Sequence, residues 1–332
     1  MFENLIEVLK NDPRKIVYTE GSDARILESA ARLKKDGFLT PILVGNVDEV
    51  KAAAAKGGFD IEGLEILYPA TYEGMDAMVD EMVALRKGKM SAEDCRAALS
   101  KGNYFGTMLV KMGVADCLLG GATYSTADTV RPALQLVKTK KGAHLVSSCF
   151  IMIRGDETLA MGDCAINIDY QDTVDKEGNV TFTAAQKLAE VAVATAETAK
   201  VFGIDPKVAM LSYSTKGSGK GPNVDLVRNA TEEAKKLAPE LKLDGEMQFD
   251  AAVSPVVGQL KFPGSPVAGY ANTFIFPEIQ SGNIGYKIAA RLGGFAAYGP
   301  ILQGLNAPIN DLSRGCNAEE VYQMSIITAA LK

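Results

Sequence analysis

Apolar runs of strand length, each followed by a short turn and then a helix, recur along this chain. Residues 15–18 (Lys-Ile-Val-Tyr) run into Thr19-Glu20-Gly21-Ser22-Asp23 and a helix over 24–35. Residues 41–44 lead to a helix over 47–56, and 64–68 to a long helix over 75–87. Helices over 92–99 and 104–112 follow, then a strand over 116–119 that enters Gly120-Gly121-Ala122. Strands alternating with helices specify βαβ units, whose right-handed crossovers join parallel strands. After residue 141 the pattern changes and then resumes. Residues 145–153 and 159–166 read as extended, 172–181 as a polar loop, and 183–202 as a long Ala-rich helix. A strand over 207–213 leads into a glycine loop and a helix over 223–237. Strands near 245–249 and 273–276 alternate with helices over 251–260 and 283–292. The last apolar-periodic segment, 321–331, reads as a helix that packs back on the first half. The expected fold is α/β, with two α/β domains and an interdomain cleft. Residues 1–143 plus 300–332 form a discontinuous first domain, and residues 144–299 the second.

Bulk properties narrow the chemistry. The 332 residues suit about two domains. A net charge of -6 argues against a nucleic-acid partner. An anionic ligand would need a local basic site, which gives weight to Arg and Lys in glycine-rich loops. The five cysteines are odd in number and far apart, and no CxxC occurs, which argues against a zinc ribbon, a redox pair or a disulfide framework. The N-terminus lacks the apolar core of a signal peptide, and no run of about 18 apolar residues suggests a membrane span. A cytoplasmic protein is expected. The one histidine, His144, stands at a strand entrance and reads as structural. Acid–base chemistry therefore falls to carboxylates, Lys, Tyr or Cys.

Three loops could hold an anion. Ser214-Thr215-Lys216-Gly217-Ser218-Gly219-Lys220-Gly221 joins a strand to a helix. Its glycines let N–H groups turn inward, and the helix adds its positive end. Gly221 follows Lys220, so the loop is no Walker A motif, and its glycine spacing is not that of a dinucleotide fingerprint. A flexible surface loop has much the same composition. Gly120-Gly121-Ala122-Thr123-Tyr124-Ser125-Thr126-Ala127-Asp128 also runs from strand to helix, with Ser125 or Thr126 as N-cap and Arg131 ahead of Pro132. The third is Asn310-Asp311-Leu312-Ser313-Arg314-Gly315-Cys316-Asn317, between the Gly/Pro-rich connection that starts at Tyr298 and the last helix. Arg314 offers a planar fork for phosphate oxygens, or pairs with Asp311 at the surface. Glu320 fits a capping box with Asn317, and also places a carboxylate near Arg314. Loops of this kind gather at the carboxyl ends of strands, where open α/β sheets bind ligands.

Taken together, these segments resemble the phosphotransacetylase (phosphate acetyl/butyryltransferase) family. The pieces that carry the resemblance are Tyr104-Phe105-Gly106-Thr107-Met108, Gly120-Gly121-Ala122 with residues 125–132, and residues 207–218. Further along come Asp244-Gly245-Glu246, residues 263–269, Gly282-Asn283-Ile284, and Pro308-Ile309 with residues 310–316. They occur in order over nearly the whole chain. The resemblance implies a homodimer of two α/β domains related to the isocitrate/isopropylmalate dehydrogenase fold. It implies the reaction acetyl-CoA + phosphate = CoA + acetyl phosphate, by direct attack of the CoA thiolate with no metal or prosthetic cofactor. Its substrates would be CoA, acetyl phosphate and inorganic phosphate, with no nucleic acid and no membrane. Ser313 would stabilise the transition state, and Arg314 would act on the phosphate or carbonyl oxygen. Arg86 and Arg131 match family arginines implicated in substrate binding. Ser125, Thr126, Ser214, Thr215, Lys216, Asn283 and Tyr298 complete the substrate-binding candidates. The family's base is an aspartate seven residues after the matched serine; here that position is Glu320, one methylene longer.

The chemistry suits those residues. A thiol with pKa near ~8.5 is mostly protonated at neutral pH, so a positioned base helps by about 10²–10⁴-fold. The alternatives are a phosphate butyryltransferase with a larger acyl pocket, a nicotinamide-dependent hydroxyacid dehydrogenase, and a non-catalytic acyl-CoA-sensing domain. The dehydrogenase would need a metal-binding carboxylate cluster that the sequence does not offer.

Overall fold

In the computed structural model, which describes residues 2–332, the contacts divide the chain into two units. One runs to Gly142 and resumes over Leu305–Lys332; the other is Ala143–Gly304. Each is built around one principal sheet with helices against it.

The first unit has a five-stranded, all-parallel sheet. Its spatial order is Ile309–Asp311, Cys117–Gly120, Arg14–Tyr18, Leu39–Val44, Glu65–Leu67. The chain starts at Arg14–Tyr18 and moves outward through two strands. It then crosses back to the opposite side of Arg14–Tyr18 for Cys117–Gly120. The strand order reverses between these two neighbours, and open α/β sheets bind ligands at the carboxyl ends of such a pair.

Successive residues of a strand face opposite sides. Val17 packs in one apolar layer with Met82, Phe105 and Met108. Tyr18 turns the other way and is fully buried. Its hydroxyl lies 2.6 Å from Ser325 Oγ of the last helix, Ala318–Ala330. Ser325 donates its own proton to the Val321 carbonyl (2.6 Å), so Tyr18 is the donor to Ser325. The buried Arg14 guanidinium donates to the Ala329 carbonyl, one of the groups a helix C-terminus leaves open. The last helix also packs on Phe2–Asn11 and Ala24–Asp36. It therefore docks on the first unit.

The second unit has a six-stranded mixed sheet in the order Lys242–Met247, Lys207–Leu211, Thr273–Ile275, Glu157–Gly162, Ser147–Arg154, Ala296–Gln303. The first four strands are parallel, and Ser147–Arg154 runs against both its neighbours. Val208 and Met210 pack with Leu188 and Val191 of the helix Ala184–Val201. Ala209 and Leu211 face the other layer, with Met247, Ala252 and Phe274.

Some elements differ from the sequence reading. Residues 172–181 are not all loop: Thr173–Val174 pairs with Val180–Phe182. The helix expected over 251–260 is two, Phe249–Val253 and Pro255–Lys261, because Pro255 cannot continue the first and starts the second. The connection from Tyr298 begins as a strand. Ala296–Gln303 contains Gly299-Pro300, which sits where the pairing register shifts at the sheet edge, the position a proline tolerates. That strand keeps residues 300–304 in the second unit, and the chain returns to the first at Leu305.

The Tyr18–Ser325 contact gives a test of how the last helix is held. Ser325→Ala leaves a fully buried hydroxyl without this partner, and unfolding in urea should show a loss of about 1–3 kcal/mol. An unchanged midpoint would mean that the contact does not hold the helix.

Candidate active site

The loops after three strands of the first unit meet through one side chain. Asp23 caps the helix Ala24–Asp36, accepting from the Arg25 N–H at 2.9 Å. The Arg25 guanidinium returns to the same carboxylate, with Nε to Oδ1 at 2.9 Å and Nη2 to Oδ2 at 2.8 Å. Nη2 also donates to the Ala122 carbonyl at 2.9 Å. Nη1 donates to the carbonyls of Arg314 (2.9 Å) and Cys316 (3.1 Å). A guanidinium has five N–H donors, and here each has an acceptor. The Arg25 fork holds the Asp23 carboxyl below its ordinary pKa, against the upward push of burial.

Glu20 fixes the middle loop. Its Oε1 accepts from the Thr123 N–H (2.8 Å) and hydroxyl (3.1 Å), and its Oε2 from the Gly121 N–H (3.2 Å). Thr19 donates its hydroxyl to Glu20 at 2.9 Å, so Tyr124 donates to Thr19 across 2.7 Å. A cavity of about 450 Å³ opens beside these groups, lined in part by Glu20, Ser22, Asp23, Gly102 and Thr123.

Asp311 does not pair with Arg314 at the surface. It is 2% exposed, at the end of the strand Ile309–Asp311, and accepts from the hydroxyls of Thr126 (2.5 Å) and Thr129 (2.6 Å). Burial raises its pKa, and the two hydroxyl bonds only partly offset that. Gly121, at φ 96°, lies over it, and a Cβ there would stand 2.2 Å from Asp311 Oδ1. Only glycine fits both the backbone and the space.

Ser313 and Arg314 follow on the exposed side of this loop. Ser313 Oγ accepts from the Gly315 N–H at 3.3 Å. The Arg314 guanidinium makes no ion pair among the described residues, while its backbone carbonyl is held by Arg25. Glu320 completes a reciprocal cap: Asn317 Oδ1 accepts its N–H at 2.9 Å, and its Oε2 accepts the Asn317 N–H at 3.0 Å. The second carboxylate oxygen takes no part in the cap. Thr126 is turned inward to Asp311, and the Ser125 hydroxyl donates to Asp128 at 2.7 Å without capping the helix Thr126–Pro132. Arg131 is exposed in the last turn of that helix. Arg86 closes the helix Met75–Arg86, with its Nε buried and without a hydrogen-bond partner.

On the second unit, the loop 214–221 follows the strand Lys207–Leu211 but is closed on itself. Glu246, 2% exposed, accepts from the Ser214 hydroxyl (2.9 Å), the Gly217 N–H (2.7 Å) and Arg228 Nε (3.3 Å). The Lys216 N–H goes to the Glu246 carbonyl, the Gly219 N–H to Ser214 Oγ, and the Thr215 N–H to Ser218 Oγ. The Thr215 hydroxyl is engaged with Gln248. The N–H groups of residues 214–219 are thus already satisfied, and the hydroxyls of Ser214 and Thr215 are internal. Lys216 is exposed, with its ammonium 5.1 Å from the centre of the Phe262 ring. Asn283 donates to the Cys164 carbonyl (3.2 Å) near the end of the strand Glu157–Gly162. Tyr298 lies on the edge strand Ala296–Gln303.

The sequence reading missed Arg25 and Glu20. A signal for Arg25 was present: it is a cation in the first turn of a helix, where the dipole favours anions. Such a residue needs local acceptors, and here it has them.

The family model described as "Phosphate acetyl/butaryl transferase" matches residues 1–329. A phosphate acetyltransferase of Bacillus subtilis (strain 168) is 52% identical over 332 residues, covering 99% of this chain and 98% of that protein. The crystal structure of a phosphotransacetylase from Streptococcus pyogenes superposes with a TM-score of 0.93 at 54% identity, covering 99% of this chain and 97% of that one. The EutD phosphotransacetylase from Staphylococcus aureus gives a TM-score of 0.88 at 48% identity, covering 99% and 98%.

Glu246 generates a pH prediction. Burial pushes its carboxyl up, but the Gly217 N–H, the Ser214 hydroxyl and Arg228 outweigh it, so the folded pKa lies below the ordinary value. Its stabilisation is complete above the unfolded pKa, near ~4.3, and is lost as pH falls through the folded value. Urea unfolding of wild type and Glu246→Gln should show a stability gap at neutral pH that narrows as pH drops below ~4. A gap independent of pH would contradict this.

Proposed function

We infer, for a chain that belongs to the phosphate acetyl/butyryl transferase family, the reversible transfer of acetyl between coenzyme A and inorganic phosphate. The observation that carries this reading is the match to phosphate acetyltransferases over essentially the full length of both chains. The substrates are acetyl phosphate and CoA in one direction, acetyl-CoA and phosphate in the other.

The reaction begins at the carboxyl edge of the first unit's sheet. The CoA sulfur bonds to the acetyl carbon, the bond from that carbon to the phosphate oxygen breaks, and phosphate leaves as the anion. Negative charge grows on the carbonyl oxygen during attack. Arg314 is the group that meets it or the phosphate. Its guanidinium is exposed and unpaired, and its backbone is anchored by Arg25, which supports that role. Ser313, adjacent and exposed, supplies a hydroxyl donor. The thiol proton passes to Glu320, whose unused carboxylate oxygen lies outside the cap. Acetyl phosphate is an activated acyl donor, so this direct displacement needs no prosthetic group or metal. Arg131 and Arg86 bind anionic parts of CoA. The exposure of Arg131 and the unpartnered buried Nε of Arg86 support this. Lys216, Asn283 and Tyr298 of the second unit are further substrate-binding candidates. Ser125, Thr126, Ser214 and Thr215 instead shape the loops.

The assembly belonging to this reading is a homodimer in the cytoplasm. Ile284, Ile288 and Leu292 form an exposed stripe at helical spacing on and just beyond Ile279–Arg291. Val256 and Leu260 of Pro255–Lys261 are each 79% exposed. Apolar faces of this kind mark protein contacts. No helix among the described residues is long and apolar enough to cross a membrane.

Purified protein given CoA and acetyl phosphate should form a thioester, followed by its ultraviolet absorbance, and butyryl phosphate should give much less. Silence with acetyl phosphate would remove the reading. Arg314→Ala should lower turnover by roughly 10²–10³-fold with an unchanged circular dichroism spectrum; near wild-type turnover would remove Arg314 from the chemistry. Glu320→Gln retains an oxygen for the cap but not a base. A large rate loss at constant melting temperature supports the base. A lower melting temperature with normal turnover leaves Glu320 as a cap alone.

A further inference from the structure

We propose that Asp311 is a positioning residue that sets Arg131 in register with Ser313 and Arg314. The proposal rests on the transferase reading above, in which Arg131 binds CoA.

Asp311 ends the strand Ile309–Asp311, two residues before Ser313. Its two carboxylate oxygens each take one hydroxyl from a different turn position of a single helix, Thr126 at 2.5 Å and Thr129 at 2.6 Å. Residues three apart share a helix face, so the helix Thr126–Pro132 is clamped by one side. Arg131, further along and exposed, stands off that clamped side. A second link fixes the same strand: the Leu312 N–H donates to the Gly120 carbonyl at 2.7 Å. Gly121 closes over the carboxylate with no room for a Cβ. Any shift of Asp311 therefore moves the Arg131 helix relative to the Ser313 loop.

A packing role alone would not call for this residue. Burying a carboxylate is costly, and an uncharged side chain of similar shape often serves stability as well or better. Here the charge also stands under loops that are to receive anions, with Glu20 nearby as a second negative group. What the charge adds is two short, directional bonds to hydroxyls, which fix distance and rotation together. That is the property needed when a cation that grips one end of a substrate must be in register with the groups that act on the other.

The test is a double-mutant cycle on the active dimer or monomer as purified, with CoA and acetyl phosphate. Thr126→Val removes one hydroxyl at nearly constant volume; Thr126→Ser keeps it. Thr126→Val is expected to raise the KM for CoA by roughly tenfold, and Thr126→Ser by less than about twofold. In an Arg131→Ala background, Thr126→Val should change that KM by less than about twofold, because the residue through which it acts is gone. Equal effects in both backgrounds would assign Thr126 and Asp311 to general stability and overturn the proposal. So would an unchanged KM in Arg131→Ala or in Thr126→Val alone. If Thr126→Val does not fold, Asp311→Asn enters the same cycle with the same expectations. A silent wild type would overturn the transferase reading and this proposal with it; an active wild type with additive losses would overturn this proposal only.

Discussion

Arg25 distributes its N–H groups over three strand-end loops, and the shape of the candidate site depends on that distribution. Two donors hold Asp23 at the start of its own helix, one holds the Ala122 carbonyl, and two hold the carbonyls of Arg314 and Cys316. Carbonyl oxygens left facing an anion would repel it. Drawn toward Arg25, those of residues 314 and 316 are occupied, and the Arg314 side chain is left free on the exposed side. A lysine has three donors on a point charge and no planar fork, so it cannot reproduce this pattern.

A second theme is the buried carboxylate under a strand-end loop. In the first unit Asp311 holds two threonine hydroxyls; in the second, Glu246 holds Ser214, the Gly217 N–H and Arg228. Asp163, also buried, accepts from the N–H groups of Ala165, Ile166 and Asn167 at the end of the strand Glu157–Gly162. Each carboxylate is surrounded by donors, which is the condition for burying it. The consequence for function is that many hydroxyls at these loops are committed to architecture. By contrast, the long cations Arg314, Arg131 and Lys216 and the hydroxyl-bearing Ser313 are exposed.

The sequence makes the repeated βα order legible because apolar runs and caps are local signals. The strands Arg14–Tyr18 and Lys207–Leu211 and the helix Ala92–Leu99 lie where periodicity puts them. Ile309–Asp311 is invisible locally: Asn310 and Asp311 are polar, and distant partners, Thr328 on the last helix and Thr126 and Thr129 on another, help make their burial tolerable. Ala296–Gln303 hides behind its Gly-Pro pair. At the site, Ser313, Arg314 and Glu320 stand out by type and by the resemblance, whereas hydroxyls in a glycine loop look alike whether they face a ligand or a buried carboxylate. Ser214, Thr215 and Thr126 are of the second kind, and no local pattern separates the two. Arg25 shows the converse: besides Asp23, its acceptors are about 100 and 290 residues away in sequence, and folding alone brings those together.

The most direct measurement is the turnover of Arg25→Lys with CoA and acetyl phosphate, made beside its circular dichroism and its affinity for CoA. If the fork orients the Ser313–Arg314 loop, turnover should fall by roughly 10²-fold while the fold is retained and CoA affinity changes little. Wild-type turnover in this variant would contradict the view that the Arg25 contacts set the geometry of the site.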